Sequence, residues 1–191
     1  MVKYKTNQKF IHKIVKSVKQ LFVVKFKSKQ KRIDEIAEVV KQLEKVVGDD
    51  CKKMNKEIEI LENQGLESID YMPTPFEIAE YYGIRCVFKQ IKNRNELSYF
   101  SRESLTIFIS DRYCEDDYKA RHLCAHELGH FFLHHNRISA MNNYLSKTNE
   151  EYEANVFSIL LMPQIMAGSQ WEAMSPKKLN SIIYRKVFKN E

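Results

Sequence analysis

His126 and His130 stand four residues apart in the stretch His126-Glu127-Leu128-Gly129-His130, and this spacing constrains the chain more than any other feature. On an α-helix, residues i and i+4 lie on one face about a turn apart, so the two imidazoles meet at one point only if the stretch is helical. The flanks support a helix. Asp117 to Ala125 and Phe131 to His135 contain neither proline nor glycine, and Leu123, Phe131 and Leu133 supply apolar contacts. A helix over about residues 116–135 is therefore predicted.

Two histidines on one helical face can bind one zinc ion, and the intervening Glu127 then faces the metal's water as a general base, the outline of a hydrolytic site. Catalytic zinc held by two histidines takes one further protein ligand and leaves a position open. Downstream candidates are Glu150, Glu151, Glu153 and Glu172. Residues 150–162 read as a helix closed by Pro163, with Ala154, Phe157, Ser158 and Leu161 on its apolar side. Glu151 precedes Ala154 and Asn155 by three and four residues and shares that side. Glu153 sits about 160° further round and is expected to be solvated. Asn155, one turn after Glu151, is placed to hydrogen-bond a liganding histidine. The competing reading is a surface helix whose N-terminal glutamates suit the helix dipole. His122 and His134 also recur at intervals of four, but each step advances about 400°, so both drift off the central pair; these and His135 are read as non-ligands.

Upstream, Thr74-Pro75-Phe76-Glu77 is a helix start, with Thr74 as N-cap and Glu77 completing a capping box, and Gly83 is the stop. Strands follow at 84–91, 97–100 and 105–109, read as a small antiparallel three-stranded sheet leading into the histidine helix. The fold expected is α+β: this sheet packed with the HExxH helix and the helix of the third ligand, preceded by an N-terminal helical appendage. Ser175-Pro176 opens a last basic helix. The organisation predicted is a basic helical region over 1–65, a core over 66–168 that carries the candidate zinc site, and a helical tail over 169–191.

The net charge of +6 is concentrated at one end. Residues 1–32 hold ten lysines, one arginine and no acidic residue; the remaining chain holds 20 basic and 25 acidic residues. Phe10, Ile11, Ile14, Val15, Val18, Leu21 and Phe22 fall at helical spacing there. Lys9, Lys13, Lys16, Lys19, Lys25, Lys27, Lys29, Lys31 and Arg32 could serve an acidic partner or nucleic acid. The same helix could equally dock its apolar face on the domain and leave its charges solvated, or lie on a membrane surface. A second apolar stripe, Ile33 to Val47, with Gly48-Asp49-Asp50 as a stop and a further helix carrying Cys51, Met54, Ile58 and Leu61, suggests a helical hairpin or short protrusion, or simply packing surfaces. The longest apolar runs are far too short to span a bilayer and no signal peptide is visible, so a cytoplasmic location is expected. Four scattered cysteines fit reduced thiols, with Cys124 in the core.

Taken together, His126-Glu-Leu-Gly-His130 followed by Glu151-x-x-Ala-Asn-x-Phe-Ser-x-x-Leu-Met-Pro163 resembles the ImmA/IrrE family of zinc metallopeptidases. The likeness runs from Thr74 to Pro163. It implies His126, His130 and Glu151 as zinc ligands, Glu127 as the catalytic glutamate, and a role in mobile elements or stress responses, namely cleavage of a helix-turn-helix repressor that relieves repression. Ser158 stands where that family often has alanine, and residues 1–65 have no counterpart in the pattern. Two alternatives remain: a zinc-containing regulator that binds a transcription factor without cutting it, and a DNA-binding protein acting through the basic arm.

Overall fold

A computed structural model of the 191-residue chain describes residues 29–54, 72–92, 97–114, 117–134 and 144–188. Its elements are α1 (Lys29–Met54), α2 (Pro75–Tyr81), β1 (Arg85–Lys89), β2 (Ser98–Ser101), β3 (Thr106–Ser110), α3 (Tyr118–His134), α4 (Tyr144–Leu161) and α5 (Pro176–Phe188). Short 3-10 turns at Pro163–Met166 and Trp171–Ala173 link α4 to α5. The α+β class, with a helix ahead of the sheet, is as expected.

The sheet is mixed, which corrects the antiparallel expectation. Its order is β1-β3-β2: β1 runs parallel to β3, and β2 runs antiparallel to it. Adjacency in sequence favoured a simple meander, but β3 is the most buried strand, with Thr106, Ile107, Ile109 and Ser110 inside. A strand buried on this scale satisfies its backbone on both sides, so it takes the centre. β2 is thereby left as an edge strand, and α3 packs beside it.

The first helix also departs from expectation. Gly48-Asp49-Asp50 does not end it; α1 continues to Met54. One glycine inside a helix costs about 1 kcal/mol relative to alanine. Against this, Val47 is fully buried and the Tyr81 hydroxyl donates to Asp50 Oδ2 at 2.8 Å. Ile33, Ile36, Val39, Val40, Leu43 and Val47 are all buried in the same core as the sheet and the remaining helices. Each such side chain contributes about 1.5–3 kcal/mol on burial. This stretch of the predicted appendage is a packing surface. The start of the second helix expected after Gly48 is thus the end of α1; the rest of it, after residue 54, and the arm before residue 29 lie outside the described residues.

Helix α2 begins as predicted: Glu77 N–H donates to Thr74 Oγ1 at 3.3 Å, and Thr74 N–H donates to Glu77 Oε2 at 2.7 Å. Gly83 leaves the helix at φ 70°, the left-handed C-terminal turn that glycine adopts without strain. Cys124 is fully buried, 3.8 Å from the Cys86 sulfur, and both are free thiols. No helix among the described residues is long and apolar enough to cross a membrane.

Candidate metal centre

Helices α3 and α4 cross at Gly129. A Cβ placed there would lie 2.9 Å from Ala154 Cα, 3.1 Å from Phe157 Cβ and 3.2 Å from Ala154 O. Only a residue without a side chain lets the two backbones approach this closely. The approach sets His126 and His130, flanking Gly129, against Glu151, one turn before Ala154 on the facing helix.

The three side chains converge. His126 Nε2 and His130 Nε2 are 3.1 Å apart, and Glu151 reaches them at 3.4 and 3.5 Å through Oε2 and Oε1. Zinc bonded at about 2.0–2.1 Å in a tetrahedral site would hold its ligand atoms about 3.3 Å from one another. One atom from each residue lies within 4.8 Å of the others, and among the described residues this group alone could hold a metal ion. Its donor set of two imidazoles and one carboxylate is the chemistry that a hydrolytic zinc site uses.

The tautomer of His126 follows from its neighbour. Its Nδ1 lies 3.0 Å from Asn155 Oδ1, an acceptor, so Nδ1 carries the proton and Nε2 keeps its lone pair. Asn155 is oriented in turn by donating through Nδ2 to Asn180 Oδ1 at 2.7 Å. Asn180 belongs to α5, and no helical periodicity or spacing in the sequence points to it.

Glu127 lines the same cleft, which holds about 600 Å³. It is 5% exposed and accepts a hydrogen bond from Ser98 Oγ at 2.7 Å. Burial raises its carboxyl above the usual range; the neighbouring His126 ring and the Ser98 bond oppose that shift, Glu151 adds to it, and a Phe100 backbone bond lowers it. Both hydrogen-bond partners come from edge strand β2, which thus aims the carboxylate as well as bordering the cleft. His122 is buried behind the site at 2% exposure, and burial holds it neutral by pushing its pKa down to about 3.

A family model described as the IrrE N-terminal-like domain, a family of peptidases, matches residues 79–180, just over half of the chain. The chain belongs to that family. No individual curated protein and no solved structure matches it. The match begins inside α2 and ends at Asn180, so this IrrE N-terminal-like domain reaches beyond Pro163, where the resemblance read from the motifs ends.

Outside the matched segment, the sequence-predicted partner residues divide. Lys9, Lys13, Lys16, Lys19, Lys25 and Lys27 lie outside the described residues. Lys29 donates to the carbonyl oxygens of Glu172 and Met174, capping the short turn before α5. Arg32 turns inward to Glu153. Glu153 itself corrects an expectation: it is 8% exposed rather than solvated, because the approach of α1 covers that side of α4. His134 stays off the ligand cluster but touches it, with Nδ1 3.2 Å from His130 Nδ1.

Proposed function

We propose that this peptidase-family chain is a zinc-dependent endopeptidase that cuts a helix-turn-helix transcriptional repressor and so relieves repression, in the cytoplasm where such a repressor works. The observation that carries the reading is the convergence of His126, His130 and Glu151 beside a buried Glu127 in a cleft bordered by an edge strand. Zinc held there would supply Lewis-acid polarisation of the scissile carbonyl and a more acidic water. Glu127, kept basic by burial, takes a proton from the attacking water and returns it to the leaving amine. Ser98 and the Phe100 backbone hold its carboxylate in place during both transfers. Among the described residues strand β2 has β3 on one side only, and an extended substrate segment can pair with its other side through main-chain hydrogen bonds. That mode suits a peptide chain and offers nothing to a small ester or phosphate.

The proposal is tested by incubating the zinc-loaded chain with helix-turn-helix repressors, beginning with any encoded beside it, and identifying fragments by mass spectrometry. A single new cut site supports the reading. Tight binding without a cut points instead to a regulator that works by sequestration. The orientation of His126 offers a separate check: Asn155→Ala is expected to weaken zinc affinity about 10- to 100-fold in a chelator competition, the range seen when a ligand histidine loses its hydrogen-bond partner. Asn180→Ala acts through Asn155 and should fall short of that. Unchanged affinity in Asn155→Ala would remove it from the site.

A further inference from the structure

We propose that His134, Glu153 and Arg32 form a positioning relay that fixes which ring nitrogen of His130 faces the metal position, so that α1 completes the site. The inference rests on reading His126, His130 and Glu151 as the metal ligands. A liganding imidazole must present a lone pair, so its other nitrogen carries the proton and needs an acceptor. His126 finds an amide oxygen. His130 finds another imidazole, His134 Nδ1, at 3.2 Å, and a contact between two neutral imidazole nitrogens works only if one donates and the other accepts.

The direction is decided one step further out. His134 Nε2 lies 2.9 Å from Glu153 Oε2. An ionised carboxylate only accepts, so the His134 proton sits on Nε2 and its Nδ1 is the acceptor. His130 must then donate from Nδ1, which turns the lone pair of Nε2 toward His126 and Glu151. This holds while Glu153 stays ionised in a buried position. Arg32 secures it with a two-point grip, Nε to Oε1 at 2.9 Å and Nη2 to Oε2 at 2.5 Å, the geometry in which a guanidinium binds a carboxylate best. Glu35 holds Arg32 from the same helix at 3.5 Å. His134 is 1% exposed, which leaves little room for water to take over the Glu153 role. The proton order on a ligand is thus set by a residue 121 positions from Glu153 in sequence and outside the family-matched segment.

Reversal has a definite consequence: with Nδ1–H on His134, His130 would carry Nε2–H and point a proton where the lone pair is needed. Glu153→Gln permits this, because its amide can donate to His134 Nε2. The test uses the full chain as wild type, Glu153→Gln, Arg32→Ala and Arg32→Lys. Zinc affinity is read by chelator competition, and histidine tautomers by ¹⁵N NMR of the metal-free protein. Expected are a wild-type His130 protonated on Nδ1, a shift toward Nε2–H in Glu153→Gln and Arg32→Ala, and zinc affinity about 10- to 100-fold weaker in both. Arg32→Lys, which keeps the charge but not the fork, should lie between. If Arg32→Ala fails to fold, Glu153→Gln and Arg32→Lys decide alone. Wild-type affinity in Glu153→Gln with His130 still protonated on Nδ1 overturns the relay, as does a lower melting temperature with both other readouts unmoved. A wild-type chain that takes up no zinc overturns the metal reading instead, and the tautomer spectra still decide the relay.

Discussion

Replacing Glu127 by glutamine is expected to lower peptide-bond cleavage by about 10²- to 10⁴-fold, the range that general acid–base catalysis contributes, while zinc uptake stays at the wild-type level. Glutamine has the same shape, and its amide oxygen can still accept from Ser98 Oγ, so the cleft and the edge strand keep their arrangement. What is lost is the negative charge and, with it, the ability to take a proton. Residue 127 is not among the three groups that converge on the metal position, so stoichiometric zinc by elemental analysis in the same preparation separates chemistry from folding. A variant that cuts at the wild-type rate removes Glu127 from the mechanism.

The second large effect is structural. Gly129→Leu puts a branched side chain where even a Cβ would meet backbone at 2.9 Å, and backbone cannot rotate away. Overpacking a close-packed contact costs about 1–3 kcal/mol, and this substitution belongs at the upper end because Ala154 and Phe157 are fully buried on the far side. The helices must separate to admit the side chain, and Glu151 moves away from His126 and His130 as they do. The expected result is a protein with a lower melting temperature and zinc affinity weakened together. Gly129→Ala should show both effects in smaller measure, offset in part by the better helix propensity of alanine. Unchanged stability and affinity in Gly129→Leu would show that the crossing does not set the ligand geometry.

The sequence made the central pair of helices and the three converging residues readable because those features are periodic. Helical spacing places His126 and His130 on one face and Glu151 and Asn155 on another, and burial of the apolar sides then leaves one way for the faces to meet. The capping box at Thr74 is equally local. What periodicity cannot carry is the choice among partners distant along the chain. Whether β1 joins β2 or β3 depends on which strand lies deepest. Glu153 was expected in solvent because its helix alone turns it outward; α1, more than a hundred residues earlier, covers it and brings Arg32. Asn180 and Ser98 touch the site only through such long-range contacts. Gly48 shows the reverse error, a strong local stop signal outweighed by Val47 and the Tyr81–Asp50 bond.

Strand β2 carries one more consequence, for solubility. An open strand edge offers its unpaired amides and carbonyls to any extended chain, including the same edge on a second copy of the protein. The edge here is four residues long and lies in a recess beside α3, with Arg102 immediately after it. Shortness, recession and a neighbouring positive charge each hinder edge-to-edge joining, yet leave room for a single flexible strand to enter. Lengthening β2 or removing the charge at Arg102 would therefore trade colloidal stability for accessibility at the cleft.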